Sequence, residues 1–216
     1  MPDPIHVRLE EDPVPIVMII GRFLTNQLRH PGPLAAANRM AGVIALRSTT
    51  DPQAVTLRLL GGEIIVSRGV SKQADLVVHL DFNRMSDPAM KPRVEGLLRH
   101  PVLALRLQSL MADVPTPEWT REAPRFWALV AGKPGIPGAI RLTDTEQERE
   151  VLLGEGEPEM EIEGPTAALA ALVSGNVVLL QEVVGNGHLR VRSGFEALCC
   201  LSELTLQMLL GELVHD

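Results

Sequence analysis

Six histidines, His6, His30, His79, His100, His188 and His215, are the first residues to weigh for proton transfer or metal ligation. None forms an HxH or HExxH arrangement, and none sits at a cysteine spacing suited to one metal ion. His79 alternates with Val78 and Leu80 along a strand-like run, which reads as a surface or hydrogen-bonded histidine. Ser174 and Ser193 stand beside glycines but outside any Gly-x-Ser-x-Gly elbow, so they read as turn residues. Gly185-Asn186-Gly187 is a tight turn before a strand and not a phosphate loop, because no helix follows it. Four carboxylates fall between Asp144 and Glu150. That spacing suits a solvated hairpin or loop better than an acid–base pair. Cys199 and Cys200 are adjacent on a predicted helix, where neighbouring side chains diverge and a bridge would be strained. They read as reduced core thiols, which fits the cytoplasm. The sequence thus offers no catalytic residue, no metal ligand set and no cofactor motif.

The elements that would carry these residues follow from periodicity. Residues 1–13 read as a loose tail. From Val14 to Arg29, the residues Arg22, Thr25, Asn26 and Arg29 form one polar stripe on an otherwise apolar helix. His30-Pro31-Gly32-Pro33 stops it, and a second short helix is expected over Leu34–Met40. Strands are expected at 43–47, 54–60, 63–68 and 74–81, with Gly61-Gly62 as a hairpin signal. A helix should follow Pro101. Residues 112–138 are rich in Pro and Gly and contain Trp119, Phe126 and Trp127, which marks an internal boundary, either a connection with a short helix or a lid. These aromatics either plug a core or subunit contact, or form a lid at an apolar–polar boundary. Strands at 139–143, 149–153 and 159–163 come next. Helices at 165–174 and 177–184, a strand at 189–192 and a helix at 195–213 complete the chain. The last helix has a narrow polar stripe, Glu196, Glu203 and Gln207, and should be buried on several sides.

Composition narrows the function. The chain has 216 residues, 45 % of them apolar, only 3 % aromatic and with no tyrosine. Its apolar content is therefore aliphatic, and the stretch from Glu159 to Leu213 holds more of it than one amphipathic helix needs. A net charge of −7 without a basic run argues against nucleic-acid binding. The acidic, Pro-rich start lacks the basic region of a signal peptide, and the run Ile16–Ile20 is too short for a membrane span. A cytoplasmic location is expected. IIVSRGVSKQADLVVHL (64–80) and REVLLGEGEPEMEIEG (149–164) share a strand–turn–strand layout, each leading on to an aliphatic helix, which reads as a faint internal repeat.

The layout resembles the sterol-carrier-protein-type-2 family of lipid-binding domains. Ala74-Asp75-Leu76-Val77-Val78 is similar to the family's "Ala-Asp-hydrophobic" strand, and Leu169–Gly175 to its helix ending in glycine. Gly187–Gly194 is similar to its "Gly-x-Leu-x-hydrophobic-x-Gly" strand, and Leu198–Leu210 to its Leu-rich closing helix. The likeness covers about 43–110 and 139–213. Either one domain carries an insertion over about 82–150, or two family-like halves lie in tandem. The corresponding segments are 1–42 (tail and helices), 43–111 (first half), 112–138 (connection) and 139–216 (second half). The resemblance implies an α+β fold with helices over a mostly antiparallel sheet, and an apolar tunnel between them for a fatty acid, fatty acyl-CoA or sterol-like lipid. The apolar positions of three consecutive helical elements would wall it: Leu169, Leu172, Val173, Val177, Leu180, Val184, Leu198, Leu201, Leu204 and Met208. Trp119, Phe126 and Trp127 are the candidate lid. The expected activity is non-catalytic carriage of a hydrophobic molecule, with transient membrane contact and no cofactor. The alternative is an accessory module with a filled cavity that dimerises or binds a partner protein. An enzyme is disfavoured, because the N-terminal part is too short and too poor in polar clusters for a catalytic domain.

Overall fold

A computed structural model describes residues 5–82, 91–111 and 118–213. Pro115 and Pro117 of the Pro/Gly-rich connection, Pro88 and His215 lie outside them. The chain divides into two compact units, Met1–Val114 and Pro115–Asp216.

In the first unit, α1 (Pro15–Gln27) begins with proline at its first turn and buries Val17, Ile20, Gly21 and Leu24. These fall at i, i+3, i+4 and i+7, the spacing of one helical face. After α2 (Pro31–Ala37) come β2 (Ala41–Ser48), β3 (Ala54–Leu60), β4 (Glu63–Arg68) and β5 (Leu76–Leu80). Gly61 and Gly62 make the β3–β4 hairpin turn with φ of +62° and +116°, a backbone region closed to most side chains. A short edge strand, β6 (Arg93–Glu95), precedes α3 (Pro101–Leu110).

Two expectations are corrected here. Residues 1–13 are not all loose: β1 (His6–Leu9) pairs in parallel with β4, and Arg8 reaches Glu63 at 3.3 Å. A four-residue strand between prolines carries too little pattern to be seen in sequence. It forms because β4 would otherwise present unpaired backbone groups at a sheet edge. The strand β6 was likewise hidden ahead of Pro101. It pairs antiparallel with β5.

The second unit runs α4 (Trp119–Val130), β7 (Ala139–Asp144), β8 (Arg149–Gly154), β9 (Met160–Gly164), α5 (Thr166–Val173), a π-turn (Gln181–Gly185), β10 (Arg190–Arg192) and α6 (Phe195–Leu210). The segment expected as a helix over 177–184 starts only at Leu179 and widens into the π-turn. The Thr205 hydroxyl accepts the Leu179 amide at 3.1 Å and so sets that start. Val177, Val178, Val183 and Val184 are β-branched and weaken the regular helix.

Both units are α+β, and both sheets are mixed rather than wholly antiparallel. Their orders are β1-β4-β3-β2-β5-β6 and β10-β9-β7-β8. In each, the first long strand lies between its hairpin partner, antiparallel, and a strand that returns alongside it in parallel: β2 between β3 and β5, β7 between β8 and β9. A parallel neighbour requires a crossover, which the intervening hairpin chain supplies. Residues 42–58 fall on 138–154 without a gap, because Ile44 pairs with Leu57 and Leu76 as Ile140 pairs with Leu153 and Met160. Gly42, Ile44, Leu46, Thr49, Val55 and Leu57 recur as Gly138, Ile140, Leu142, Thr145, Val151 and Leu153. Register thus matches β8 with β3, where the sequence likeness of 64–80 and 149–164 had set it against β4.

The polar fixings recur too. Asp75 accepts the Val43 amide at 2.8 Å, and Glu159 accepts the Gly138 amide at 3.1 Å, each carboxylate tying the start of the returning strand to the first strand. Asp75 of the Ala-Asp motif therefore has a structural role. Gly154, at φ +91°, ends β8 where an added Cβ would run into the Gly138 carbonyl and the Trp127 ring. Gly154→Ala is expected to destabilise the second unit by about 2 kcal/mol or more, from backbone strain plus collision, read as a lowered denaturation midpoint by Trp fluorescence.

Candidate hydrophobic-ligand site

The helical cover of the second sheet is set by alternation along the strands. Ile140, Leu142, Met160 and Ile162 are fully buried on the inner face, while Arg141, Thr143, Glu161 and Glu163 point the other way. Onto the inner face α4 presents Trp119, Ala123, Phe126 and Val130 at i, i+4, i+7 and i+11. Trp119 and Phe126 are 2 % and 1 % exposed, and Trp127 is partly buried against the same core.

The structure places the expected wall residues in three groups. Leu169, Leu172, Val173, Leu201 and Met208 are buried in the core. Val177, Leu198 and Leu204 are partly buried against it. Leu180 and Val184, on the π-turn side, are 39 % and 75 % exposed. The helix α6 is not buried on several sides, as its composition suggested. Its buried residues, Leu201, Ser202, Thr205 and Met208, share one face, and Phe195 and Leu206 stand 79 % and 41 % exposed. A two-layer unit offers a closing helix only one neighbouring layer. Cys199 and Cys200 are free thiols at half-buried positions, and Cys200 lies against Gly135.

Besides Ser202, whose hydroxyl donates to the Leu198 carbonyl at 2.6 Å within α6, three polar groups are buried in this unit: Asp144, expected in a solvated hairpin or loop, and Thr205 and Glu182, which the sequence did not single out. Asp144 is fully buried at the end of β7. Its Oδ2 accepts the Trp119 indole N–H at 3.1 Å and the Thr166 hydroxyl at 2.7 Å, and its Oδ1 accepts the Glu146 and Gln147 amides at 2.9 and 3.2 Å. One carboxylate thereby joins α4, α5 and the β7–β8 turn. Burial raises its pKa, but the hydrogen bonds, the Thr166 hydroxyl foremost, outweigh that and hold it below the ordinary carboxylate value. In the first unit Ser48 occupies this place and caps the equivalent turn through Thr50 and Asp51. Thr205, fully buried, donates to the Ser202 carbonyl at 2.9 Å while accepting the Leu179 amide.

The third is Glu182 on the π-turn, 6 % exposed. Asn186 donates to its Oε1 at 2.7 Å, and His188 Nδ1 lies 2.9 Å from its Oε2. The Glu182 carbonyl also accepts the His188 amide, so the carboxylate and backbone together close the loop into β10. The signal available in sequence was a lone Glu and His six residues apart around Gly-Asn-Gly, a spacing without a known chemistry. Among the described residues, no group of three or more His, Cys, Asp or Glu is arranged to hold a metal ion.

Two shallow concavities mark the surface. One, of about 550 Å³, is lined by Arg47–Asp51, Pro52, Gly69 and Val70 at the end of the β2–β3 hairpin. The other, of about 240 Å³, lies on the outer face of the second sheet between Arg141, Thr143, Glu150, Glu161, Glu163 and Arg192. Neither lies in the layer between sheet and helices. Arg141 and Glu161 pair there at 2.8 Å, so this outer face is self-neutralising.

Each unit thus presents an aliphatic layer between a mixed sheet and its helices, an α+β arrangement. The solved structures that resemble the chain are of sterol-carrier type. One is described as UbiJ-SCP2, a ubiquinone synthesis protein, with 12 % identity and a TM-score of 0.28, covering 92 % of this chain and 96 % of that one. Another is sterol carrier protein 2, with 13 % identity and a TM-score of 0.20 over 93 % and 98 %. A third, from Thermus thermophilus and described as possibly a sterol carrier protein, has 13 % identity and a TM-score of 0.18 over 87 % and 86 %. No family model and no curated protein matches the chain. Overlaps this loose leave the reading of the site to the chain's own residues.

Proposed function

We propose that the chain is a non-catalytic carrier of a hydrophobic small molecule, a fatty acid, fatty acyl-CoA or sterol-like lipid, built as two sterol-carrier-like halves in tandem. The ligand would occupy the apolar layer of the second unit, between its sheet and its helices. The supporting observation is the incompletely seated cover of that layer. Val177, Val183, Leu198 and Leu204 are only partly buried, and Leu180 and Val184 extend the same aliphatic surface into solvent. An acyl chain entering between these residues gains about 0.8 kcal/mol per buried CH₂ and needs no polar partner along its length. The π-turn, a form that recurs at functional positions, supplies an irregular edge where such a chain could enter. No helix of the described residues is long and apolar enough to cross a membrane.

The test is delipidation followed by titration with a fluorescent fatty acid. Saturable binding is expected, and Val177→Trp, at a half-buried position, should weaken it about tenfold or more with little change in the unfolding midpoint. Absence of saturable binding overturns the reading.

A second reading is an accessory module on the same fold that acts through a homodimer or a partner protein. The position of both concavities outside the sheet–helix layer favours it. Native mass spectrometry separates the two, because it reports bound lipid and subunit number together.

A further inference from the structure

We infer that the turn between β6 and α3 is a docking tip for an anionic lipid surface. It lies in the first unit, apart from the proposed ligand layer, and does not depend on that layer being loaded. Leu97 and Leu98 are 49 % and 96 % exposed, and Val102 and Leu105 are 58 % and 65 % exposed on the outward side of α3. Val102 and Leu105 fall at i and i+3 on the outward side of α3, while Leu103, Leu107 and Leu110 take the core side, and Leu97 and Leu98 stand in the turn just before the helix. Single exposed leucines are ordinary, but a contiguous aliphatic cluster at a projecting turn needs a partner.

The tip is held rigidly. The Arg99 and His100 amides both donate to the Gly96 carbonyl at 3.0 Å. Gly96 has φ +89° and sits where any side chain would strike the Asp75 carbonyl. Leu98 is therefore presented to solvent by a fixed backbone.

Charge decides the kind of partner. The chain as a whole carries −7, yet between 91 and 106 the cations are Lys91, Arg93, Arg99 and Arg106 against the single carboxylate of Glu95. Glu95 is occupied by His79 at 3.3 Å and Arg93 at 3.6 Å. Lys91, Arg93 and Arg99 are exposed around the leucines, and the positive end of the α3 dipole points the same way. Aliphatic side chains ringed by exposed cations match the acyl boundary and anionic headgroups of a bilayer. The same place in the second unit, the turn from β10 into α6, exposes Phe195 beside Arg190 and Arg192. Those two arginines lie 3.9 and 3.6 Å from Glu163 and Glu161, and Glu196 follows Phe195, so that tip is the weaker of the two.

The test is co-sedimentation of the full chain with vesicles of phosphatidylcholine containing about 30 % phosphatidylglycerol. Binding is expected, with affinity falling about tenfold or more on pure phosphatidylcholine and on raising the salt severalfold. Leu98→Glu should weaken binding about tenfold and Arg99→Glu about threefold, while Gln53→Glu, exposed in the turn between β2 and β3, should not. All three positions are on the surface, and circular dichroism confirms folding. The inference is overturned if the parent chain binds neither vesicle, if Leu98→Glu binds as the parent does, or if sedimentation velocity shows a dimer that Leu98→Glu splits while vesicles are ignored. A failed fatty-acid titration leaves this result standing, and a failed vesicle assay leaves the titration standing.

Discussion

Phe126→Ala is expected to destabilise the second unit by about 3–5 kcal/mol, the range for a large aromatic removed from a packed core. Phe126 is 1 % exposed on the buried face of α4, beside Trp119 and against the sheet. Truncation removes its transfer free energy and leaves a cavity that a helix pinned at Trp119 cannot collapse to fill. The matched control is Trp127→Ala, one position along and only partly buried, which should cost less despite the larger side chain. Denaturant unfolding followed by circular dichroism and Trp fluorescence measures both. Both tryptophans belong to the second unit, so fluorescence reports that unit by itself. Equal, small losses at the two positions would show α4 to be a loosely held cover, as a lid would be, and not a core helix.

Asp144→Ala should cost about 2–4 kcal/mol, because it leaves the buried Trp119 indole N–H and the Glu146 and Gln147 amides without their acceptor. Asp144→Asn keeps one acceptor oxygen and should cost about half as much. The pH dependence has a definite sign. The folded carboxyl lies below its ordinary value, so its contribution is complete above that value, near pH 4, and is lost as pH falls through the lower folded pKa. The parent should therefore lose stability on acidification below about pH 4 more steeply than Asp144→Asn. Parallel pH profiles would contradict the role given to Asp144.

The regular elements were legible because their periodicity is local. The strands 54–60 and 63–68, the helix after Pro101 and the helix at 165–174 carry either alternation or a 3.6-residue repeat, and the structure shows them within a residue or two. Within 112–138 a short helix was expected, and α4 runs for twelve residues despite an internal proline. Pro124 lies on the exposed side of α4, where the lost backbone hydrogen bond faces water and the opposite face still packs. Helical periodicity marks apolar positions but cannot say which of Leu180, Val184, Leu201 and Met208 meets a neighbour: Leu201 and Met208 are buried, and Leu180 and Val184 are exposed.

By itself, the sequence determined an acidic, aliphatic α+β chain with most of its strands and helices, and with no recognisable catalytic or metal motif. Those properties depend on composition and on residues a few positions apart. Only the tertiary structure decided that β2 and β7 each take one antiparallel and one parallel neighbour, and that residues 42–58 repeat as 138–154 in register. It alone showed that an acidic hairpin residue, Asp144, is a buried acceptor for an indole 25 positions away in sequence. It also left Leu98 almost wholly exposed. Pairing, burial and exposure depend on which distant segments meet, and that information is spread over the whole chain rather than held in any one window of it.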